Sequence, residues 1–181
     1  CLAVPAFFDT GNAGALAAAV VLWAFSLLLA LDGRRYGRPL LDYAAGVISA
    51  ADIRTSGAHG AIRYVSDRRP GGQWMLGKPI LLPEARDLYQ NGLKIVSCYQ
   101  YGKQDTADWL GGQNAGVEHA KRGWQLHVAA GGSYGAPIYA SIDDDPSFEQ
   151  YRQQVAPYLR GWEAVLGHQR VGVYANSKTI D

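Results

Sequence analysis

The sequence predicts an α/β fold in which helices join parallel strands. From residue 39 onward, five short β-favouring apolar runs alternate with segments of helical periodicity. This order implies right-handed crossovers between parallel strands, and the runs end in acidic or polar side chains, where α/β folds place their chemistry. The pattern fits either a doubly wound sheet or part of a (β/α) barrel. A Gly-x-Gly-x-x-Gly loop after the first strand is absent, which counts against a dinucleotide-binding fold.

The predicted elements have recognisable ends. Ser49 begins a short helix in capping-box form, and Gly57 ends it. Pro157 lies inside the last helix, so we expect a kink or two pieces there. The predicted strands cover 39–42, 61–66, 93–101, 137–142 and 170–176, and the predicted helices cover 49–57, 82–91, 106–130 and 147–166.

Three consecutive carboxylates after the fourth strand give the strongest functional signal. The strand leads directly into Asp143, Asp144 and Asp145. Because alternate positions of an extended strand face the same side, we expect Asp143 and Asp145 to point into one mouth and Asp144 to face solvent. Asp145 also stands where it would cap the helix that begins near Pro146.

The composition of the 181 residues narrows the partners and cofactors. A net charge of +1 gives no electrostatic footprint for nucleic acid, so no nucleic-acid partner is expected. The two cysteines, Cys1 and Cys98, form neither a disulfide framework nor a metal site. The four histidines show no HxxxH or HxH spacing, and we predict no metal site and no cofactor. One alternative stays open: the acid cluster could hold Mg²⁺ or Ca²⁺, which take oxygen ligands.

An apolar segment precedes the predicted domain. Residues 13–31 carry no charge and are long enough to cross a bilayer, although a buried core helix is the alternative. We therefore expect an N-terminal segment, 1–38, with a transmembrane or signal-like helix that allows membrane contact, followed by a domain at 39–181. The basic residues after the run would keep the remainder in the cytoplasm, an orientation that a basic region upstream of Cys1 would reverse. No cleavage site is clear near Ala30, so an anchor and a signal peptide both stay open.

Five sequence segments resemble the glycoside-hydrolase-like domain of exported actinobacterial proteins. The similarity extends from about Pro39 to Asp181, and it rests on LLDYAAG, AIRYVSDRRPGGQWMLGKP, GLKIVSCYQYGKQDTADWLGG, APIYASIDDDP and VGVYANSKTID. The resemblance implies a TIM-barrel-type fold similar to that of single-barrel lysozyme-type muramidases. It also implies an extracytoplasmic place at the cell envelope and a cell-wall glycan, such as peptidoglycan, as partner. Strands six to eight would follow Asp181, so we expect a fragment, truncated after about five strands.

The resemblance also implies which side chains form the site. Muramidase-like barrels carry an acid after strand one and an acid-x-acid pair after strand four, which fall on Asp42, Asp143 and Asp145, with Asp145 replacing a glutamate. Glycosidic cleavage needs a protonated and an ionised carboxyl, so we expect Asp145 as general acid, Asp143 as the assisting carboxylate and Asp42 as orienter or base. The expected substrate-binding residues are Arg63, which could also pair with one of the acids, together with Tyr99, Gln100, Tyr174 and Asn176.

Three functions are compatible with these residues. The first is an envelope-associated hydrolase of glycosidic bonds. The second is a carbohydrate-binding or envelope-organising domain without turnover, and the third is a metal-dependent hydrolase that uses the aspartates. All versions of the site require Asp42 to lie within about 15 Å of Asp143, because reacting groups must converge on one bond.

Overall fold

The computed structural model describes residues 39–176, which form one five-stranded parallel sheet in the order β1-β2-β3-β4-β5. The strands are β1 (Leu41–Asp42), β2 (Gly60–Tyr64), β3 (Lys94–Tyr99), β4 (Ile138–Ile142) and β5 (Val171–Ala175). The helices are α1 (Ala50–Thr55), α2 (Leu82–Gln90), α3 (Gly112–Ala129), α4 (Phe148–Gln150) and α5 (Ala156–Leu166). A π-helical turn at Tyr151–Val155 joins α4 to α5, and 3₁₀ turns lie at Gln104–Thr106, Asp108–Gly111 and His168–Arg170.

The predicted parallel α/β architecture is confirmed. Each strand pairs with the next one along the chain, so the sheet lacks the reversal of strand order that defines a doubly wound fold. The helix ends also follow the sequence signals. The Ser49 hydroxyl accepts a bond from the Asp52 amide at 3.2 Å and caps α1. The expected break near Pro157 is the π-helical turn just before α5, since proline lacks the amide hydrogen that a continuous helix needs.

The sheet is strongly curved, and its two edge strands approach each other across the concave face. The Tyr174 hydroxyl of β5 donates to Oδ2 of Asp42, at the end of β1, over 2.9 Å. In a flat sheet, strand spacings of about 4.8 Å would hold these strands roughly 19 Å apart, beyond the reach of the two side chains. The register keeps side chains of one parity on this concave face: Tyr64 lies beside Cys98, Cys98 beside Tyr139, and Ser141 beside Tyr174.

The convex face carries the helices and most of the core. Tyr158 and Trp162 of α5 are fully buried between the sheet and α3. A Cβ on Gly116 of α3 would lie 2.1 Å from the Tyr158 carbonyl oxygen, so only glycine permits this close approach of the two helices.

The apolar segment 13–31 and the proposed N-terminal segment 1–38 lie outside the described residues, as do residues 177–181. Within 39–176, every helix is too short or too polar to cross a bilayer.

Candidate functional site

Asp42 lies half-buried at the carboxyl end of β1, where two tyrosines hold it. Its Oδ2 accepts bonds from the hydroxyls of Tyr64, at 3.1 Å, and Tyr174, at 2.9 Å. Its Oδ1 is buried and finds no hydrogen-bond partner among residues 39–176. Burial raises the pKa of Asp42, the two tyrosine bonds and the charge of Arg63 oppose that rise, and the charge of Asp143 adds to it. The pocket therefore favours a proton on this carboxyl.

Asp143 directly follows β4, and its carboxyl group lies within reach of solvent. Its Oδ2 lies 2.7 Å from Nζ of Lys103, and the two side chains are 22% and 34% exposed. Asp143 also interacts electrostatically with Asp42 and with Tyr174. One end of the sheet thus brings together a carboxyl whose pKa burial raises and a second carboxyl that pairs with an ammonium group.

Asp144 is half-buried and hydrogen-bonded to a neighbouring loop, so the expectation that it simply faces solvent is wrong. Its Oδ2 accepts a bond from Nε1 of Trp109 at 3.1 Å, and its Oδ1 accepts one from the Gln104 amide at 3.2 Å. The strand ends at Ile142, so the alternation of an extended chain does not continue through the three acids. Asp144 instead binds the loop between β3 and α3.

Asp145 lies at the exposed rim. Its Oδ1 accepts a bond from Nδ2 of Asn176 at 2.9 Å, and the same amide group lies 3.1 Å from the Asp144 carbonyl oxygen. The expected capping role of Asp145 is wrong, because Ser147 caps α4 by accepting a bond from the Gln150 amide at 3.2 Å. Asn176 thus ties the end of β5 to the loop after β4.

Two of the expected substrate-binding residues, Arg63 and Tyr99, occupy the convex side of the sheet. Arg63 is fully buried and forms an ion pair with Glu84 at 2.6 Å, not with one of the aspartates. Tyr99 is buried against His119 and Trp162, with ring centroids 5.1 and 5.4 Å away. Both positions have the parity that faces the helices, which contradicts the expectation that these side chains line the mouth.

The other three expected binding residues lie at the strand ends. Tyr174 holds Asp42, and Asn176 holds Asp145. Gln100, just beyond β3, is half-buried, and its carbonyl oxygen accepts bonds from the Ser66 hydroxyl and from Nζ of Lys78.

Sequence reasoning missed several residues on the loops around the mouth. Lys78 is buried with its Nζ 4.6 Å from the centre of the Tyr64 ring, and burial lowers its pKa to about 8. Lys103 and Trp109 bind the aspartates after β4. These three residues lie on the loops after β2 and β3. Loops at the carboxyl ends of parallel strands often carry functional residues, so polar side chains on these loops could have been predicted as part of the site.

Two pockets border the sheet. One of about 440 Å³ adjoins the acids and is lined by Gln104, Asp105, Trp109, Leu110, Asp144, Asp145 and Gln150. A larger one of about 610 Å³ lies between α2 and α3 on the convex side, away from the carboxylates. Within the described part of the chain, no three histidine, cysteine, aspartate or glutamate side chains are arranged to share a metal ion.

Comparison with known proteins places this geometry in a family. The model of the family described as "Rv2525c-like, glycoside hydrolase-like domain" matches residues 51–181. The chain is 77% identical over 142 residues to a protein of Mycobacterium tuberculosis (strain ATCC 25618 / H37Rv) named "Putative peptidoglycan hydrolase Rv2525c". That alignment covers 78% of this chain but only 59% of the relative, so the chain spans less than two thirds of that protein.

Two solved structures are similar. The crystal structure of the Mycobacterium tuberculosis Tat-secreted protein Rv2525c in complex with HEPES has a TM-score of 0.77 and 77% identity, over 78% of this chain and 70% of that one. The modular autolysin LytC from Streptococcus pneumoniae, in complex with synthetic peptidoglycan ligand, has a TM-score of 0.53 and 12% identity, over 76% of this chain and 32% of that one. At such low identity the second likeness concerns the fold alone.

Proposed function

The chain belongs to the Rv2525c-like family with a glycoside hydrolase-like domain, and on this basis we propose that it acts outside the cytoplasm on the glycan of peptidoglycan. The family resemblance read from the sequence is thereby confirmed. The 77% identical relative is named "Putative peptidoglycan hydrolase Rv2525c", and its structure is described as that of a Tat-secreted protein. These names support the substrate class and the extracytoplasmic location proposed here.

The fold supports the same proposal. We interpret the curved sheet as the (β/α) barrel type, because its strands follow sequence order and because its edge strands meet through Tyr174 and Asp42. The fold likeness to an autolysin agrees with that interpretation. In such barrels, the carboxyl ends of the strands hold the chemistry, and Asp42 and Asp143 lie there.

The observation that carries the mechanism is the contrast between Asp42 and Asp143. Cleavage of a glycosidic bond requires one carboxyl that gives a proton and one carboxylate that stabilises or attacks the developing positive charge. When the surroundings of two neighbouring carboxyls push their pKa values apart, the difference identifies the general acid and its ionised partner. In this proposal Asp42 supplies the proton, and Asp143, paired with Lys103, is the carboxylate that faces the sugar.

The part of Asp145 follows from its position. The resemblance to muramidases assigns it the role of general acid, but here it is exposed and bound to Asn176. The Asp145→Asn variant separates the two assignments. It should lose far less turnover than Asp42→Asn if the buried carboxyl supplies the proton, and at least as much if the rim carboxyl does.

The test measures reducing sugar released from purified peptidoglycan, and in parallel the protein that sediments with it. We expect Asp42→Asn and Asp143→Asn to lower turnover by about 10²- to 10⁴-fold, the usual contribution of a positioned acid or base, while binding persists. Glu118→Gln, an exposed change on α3, is the matched control and should leave both unchanged. A chain that neither binds nor cleaves peptidoglycan would overturn the proposal.

A second candidate function is glycan binding without turnover. It is favoured by the contacts that occupy two of the acids, since Lys103 holds Asp143 and Asn176 holds Asp145. Sedimentation with peptidoglycan in the absence of any released sugar, unaltered by Asp143→Asn, would select this function over hydrolysis.

A further inference from the structure

We propose that Asp144 is a positioning residue, which fixes the loop between β3 and α3 so that Lys103 stays against the carboxylate of Asp143. This inference rests on the function proposed above for its catalytic consequence, but its structural part stands independently. Asp144 neighbours Asp143 in sequence yet turns to the other side, where the loop lies.

Asp144 binds two residues that follow Lys103 in the same loop. The Oδ1 atom accepts the amide of Gln104, which comes directly after Lys103, at 3.2 Å. The Oδ2 atom accepts Nε1 of Trp109, a buried side chain at the far end of the same loop, at 3.1 Å. One carboxylate therefore holds the loop at two points, each by a bond that its charge strengthens.

A second carboxylate, the buried side chain of Asp108, fixes the part of the loop that precedes Lys103. Asp108 accepts the amides of Tyr101, at 2.7 Å, and Gly102, at 2.8 Å. Backbone amides on both sides of Lys103 are thus bound by carboxylates, one from within this loop and one from the loop after β4. The backbone of Lys103 has little freedom to move, and its side chain is directed toward Asp143.

The ion pair needs this support. A partly exposed lysine–carboxylate pair contributes little stability by itself, because ordering a long side chain offsets the attraction. With the loop held in advance, that ordering cost is smaller, and the ammonium group remains at 2.7 Å from the carboxylate. Loss of the Asp144 contacts should therefore release Lys103 without any change at Asp143 itself.

Several charged and titratable groups surround Asp143, and they determine the sign of the test. Lys103 favours its ionised form, whereas Asp42 on β1, Cys98 on β3 and Tyr174 on β5 interact with it as groups that become or are negative. Removing the negative charge of neighbouring Asp144 would by itself ease ionisation of Asp143 and lower its titration midpoint. Release of Lys103 would raise it. The two effects have opposite directions, so the direction identifies the role.

The experiment follows the carboxyl carbon of Asp143 by NMR through a pH titration of the full chain. Asp144→Asn should raise the Asp143 midpoint by roughly half a pH unit, the scale of a partly exposed ion pair. Trp109→Phe, which keeps the charge of Asp144 but removes one donor, should shift it in the same direction by less. Lys103→Met should raise it at least as far, and adding Asp144→Asn to Lys103→Met should produce no further rise. Asp105→Asn, an exposed acid on the same loop, is the charge-matched control and should produce no rise.

The outcomes separate this inference from the proposed function. A midpoint that falls or does not move in Asp144→Asn, in a protein whose amide spectrum shows the native fold, would overturn the positioning role. A rise that persists in the Lys103→Met background would do so as well, because the effect would not pass through Lys103. Absence of glycan turnover in the parent chain would instead refute the hydrolase and leave the titration result intact. With turnover present, the Asp144→Asn and Lys103→Met losses should be non-additive.

Discussion

Two clusters that combine tyrosine, carboxylate and a cation lie on opposite faces of the same sheet. The convex cluster contains Tyr43, Arg63 and Glu84: the Tyr43 hydroxyl donates to Glu84 at 2.9 Å, and Arg63 pairs with the same carboxylate. The concave cluster contains Asp42, Lys103, Asp143 and Tyr174. The residue types match closely, but the degree to which their hydrogen bonds are satisfied differs.

The difference in satisfaction separates a structural role from a chemical one. In the convex cluster the Arg63 guanidinium is fully buried and binds Glu84 together with the carbonyl oxygens of Tyr43 and Gly77. The concave cluster leaves Oδ1 of Asp42 without a partner among the described residues and Asp143 exposed to solvent. A fully satisfied network rigidifies the fold. In the concave cluster the partly exposed Asp143 can meet a ligand, whereas the buried, unsatisfied oxygen of Asp42 disfavours a charge on that carboxyl.

The largest expected effect is loss of the cation from the convex cluster. Arg63→Met should lower the free energy of unfolding by about 3–5 kcal/mol, because it leaves the Glu84 carboxylate buried without its charged partner. Urea denaturation measures the loss. The comparison variant Lys103→Met, which removes the cation of the concave cluster, should cost at most about 1 kcal/mol, since that pair is partly exposed. Equal losses in the two variants would refute the distinction between the clusters.

A smaller effect is expected when one tyrosine hydroxyl is removed from each cluster. Tyr43→Phe should cost about 1.5–3 kcal/mol, the range for a bond to a charged group, because Glu84 is buried and forms an ion pair with Arg63. Tyr174→Phe should cost nearer about 1 kcal/mol, since Tyr64 still donates to the same oxygen of Asp42. Unfolding of the two single variants in urea provides the comparison. A larger loss for Tyr174→Phe would show that the concave cluster, too, is mainly structural.

The two clusters also show what the sequence could and could not predict. Parallel order and strand positions were predictable because each strand is a short apolar run with polar ends, and Asp42 and Asp143 followed from those ends together with a family resemblance. The strand that carries Arg63 was predicted correctly, but the face of the sheet to which its side chain points was not. The sequence of the strand does not say which of its two faces the helices cover. Asp144 was misplaced because the strand ends one residue before the acids, and its partners Gln104 and Trp109 are some 35 to 40 residues away in sequence.

The smallest expected effect is a pH dependence of stability that separates Asp42 from an ordinary surface carboxylate. Burial raises the pKa of Asp42 above its usual 3.8, so the folded state binds this proton more tightly than the unfolded state does. The stability that Asp42 contributes is therefore full below about pH 3.8 and is lost as the pH rises through its folded pKa. Asp42→Asn cannot titrate, so the stability of the parent chain relative to this variant should fall from about pH 4 upward and then level off.

Asp67 should change the stability of the same molecule with pH in the opposite direction. Its bond to the Arg122 guanidinium lowers its pKa, so its contribution is present above about pH 3.8 and is lost as the pH falls through its folded pKa. Relative to Asp67→Asn, the parent chain should therefore gain stability with rising pH, and the gain should be small because both side chains are 45% exposed. Urea unfolding of the parent and both variants at several pH values tests the two slopes together. Slopes of the same sign would mean that Asp42 is ionised like a surface acid, and the proton assigned to it in the proposed mechanism would have to come from Asp145.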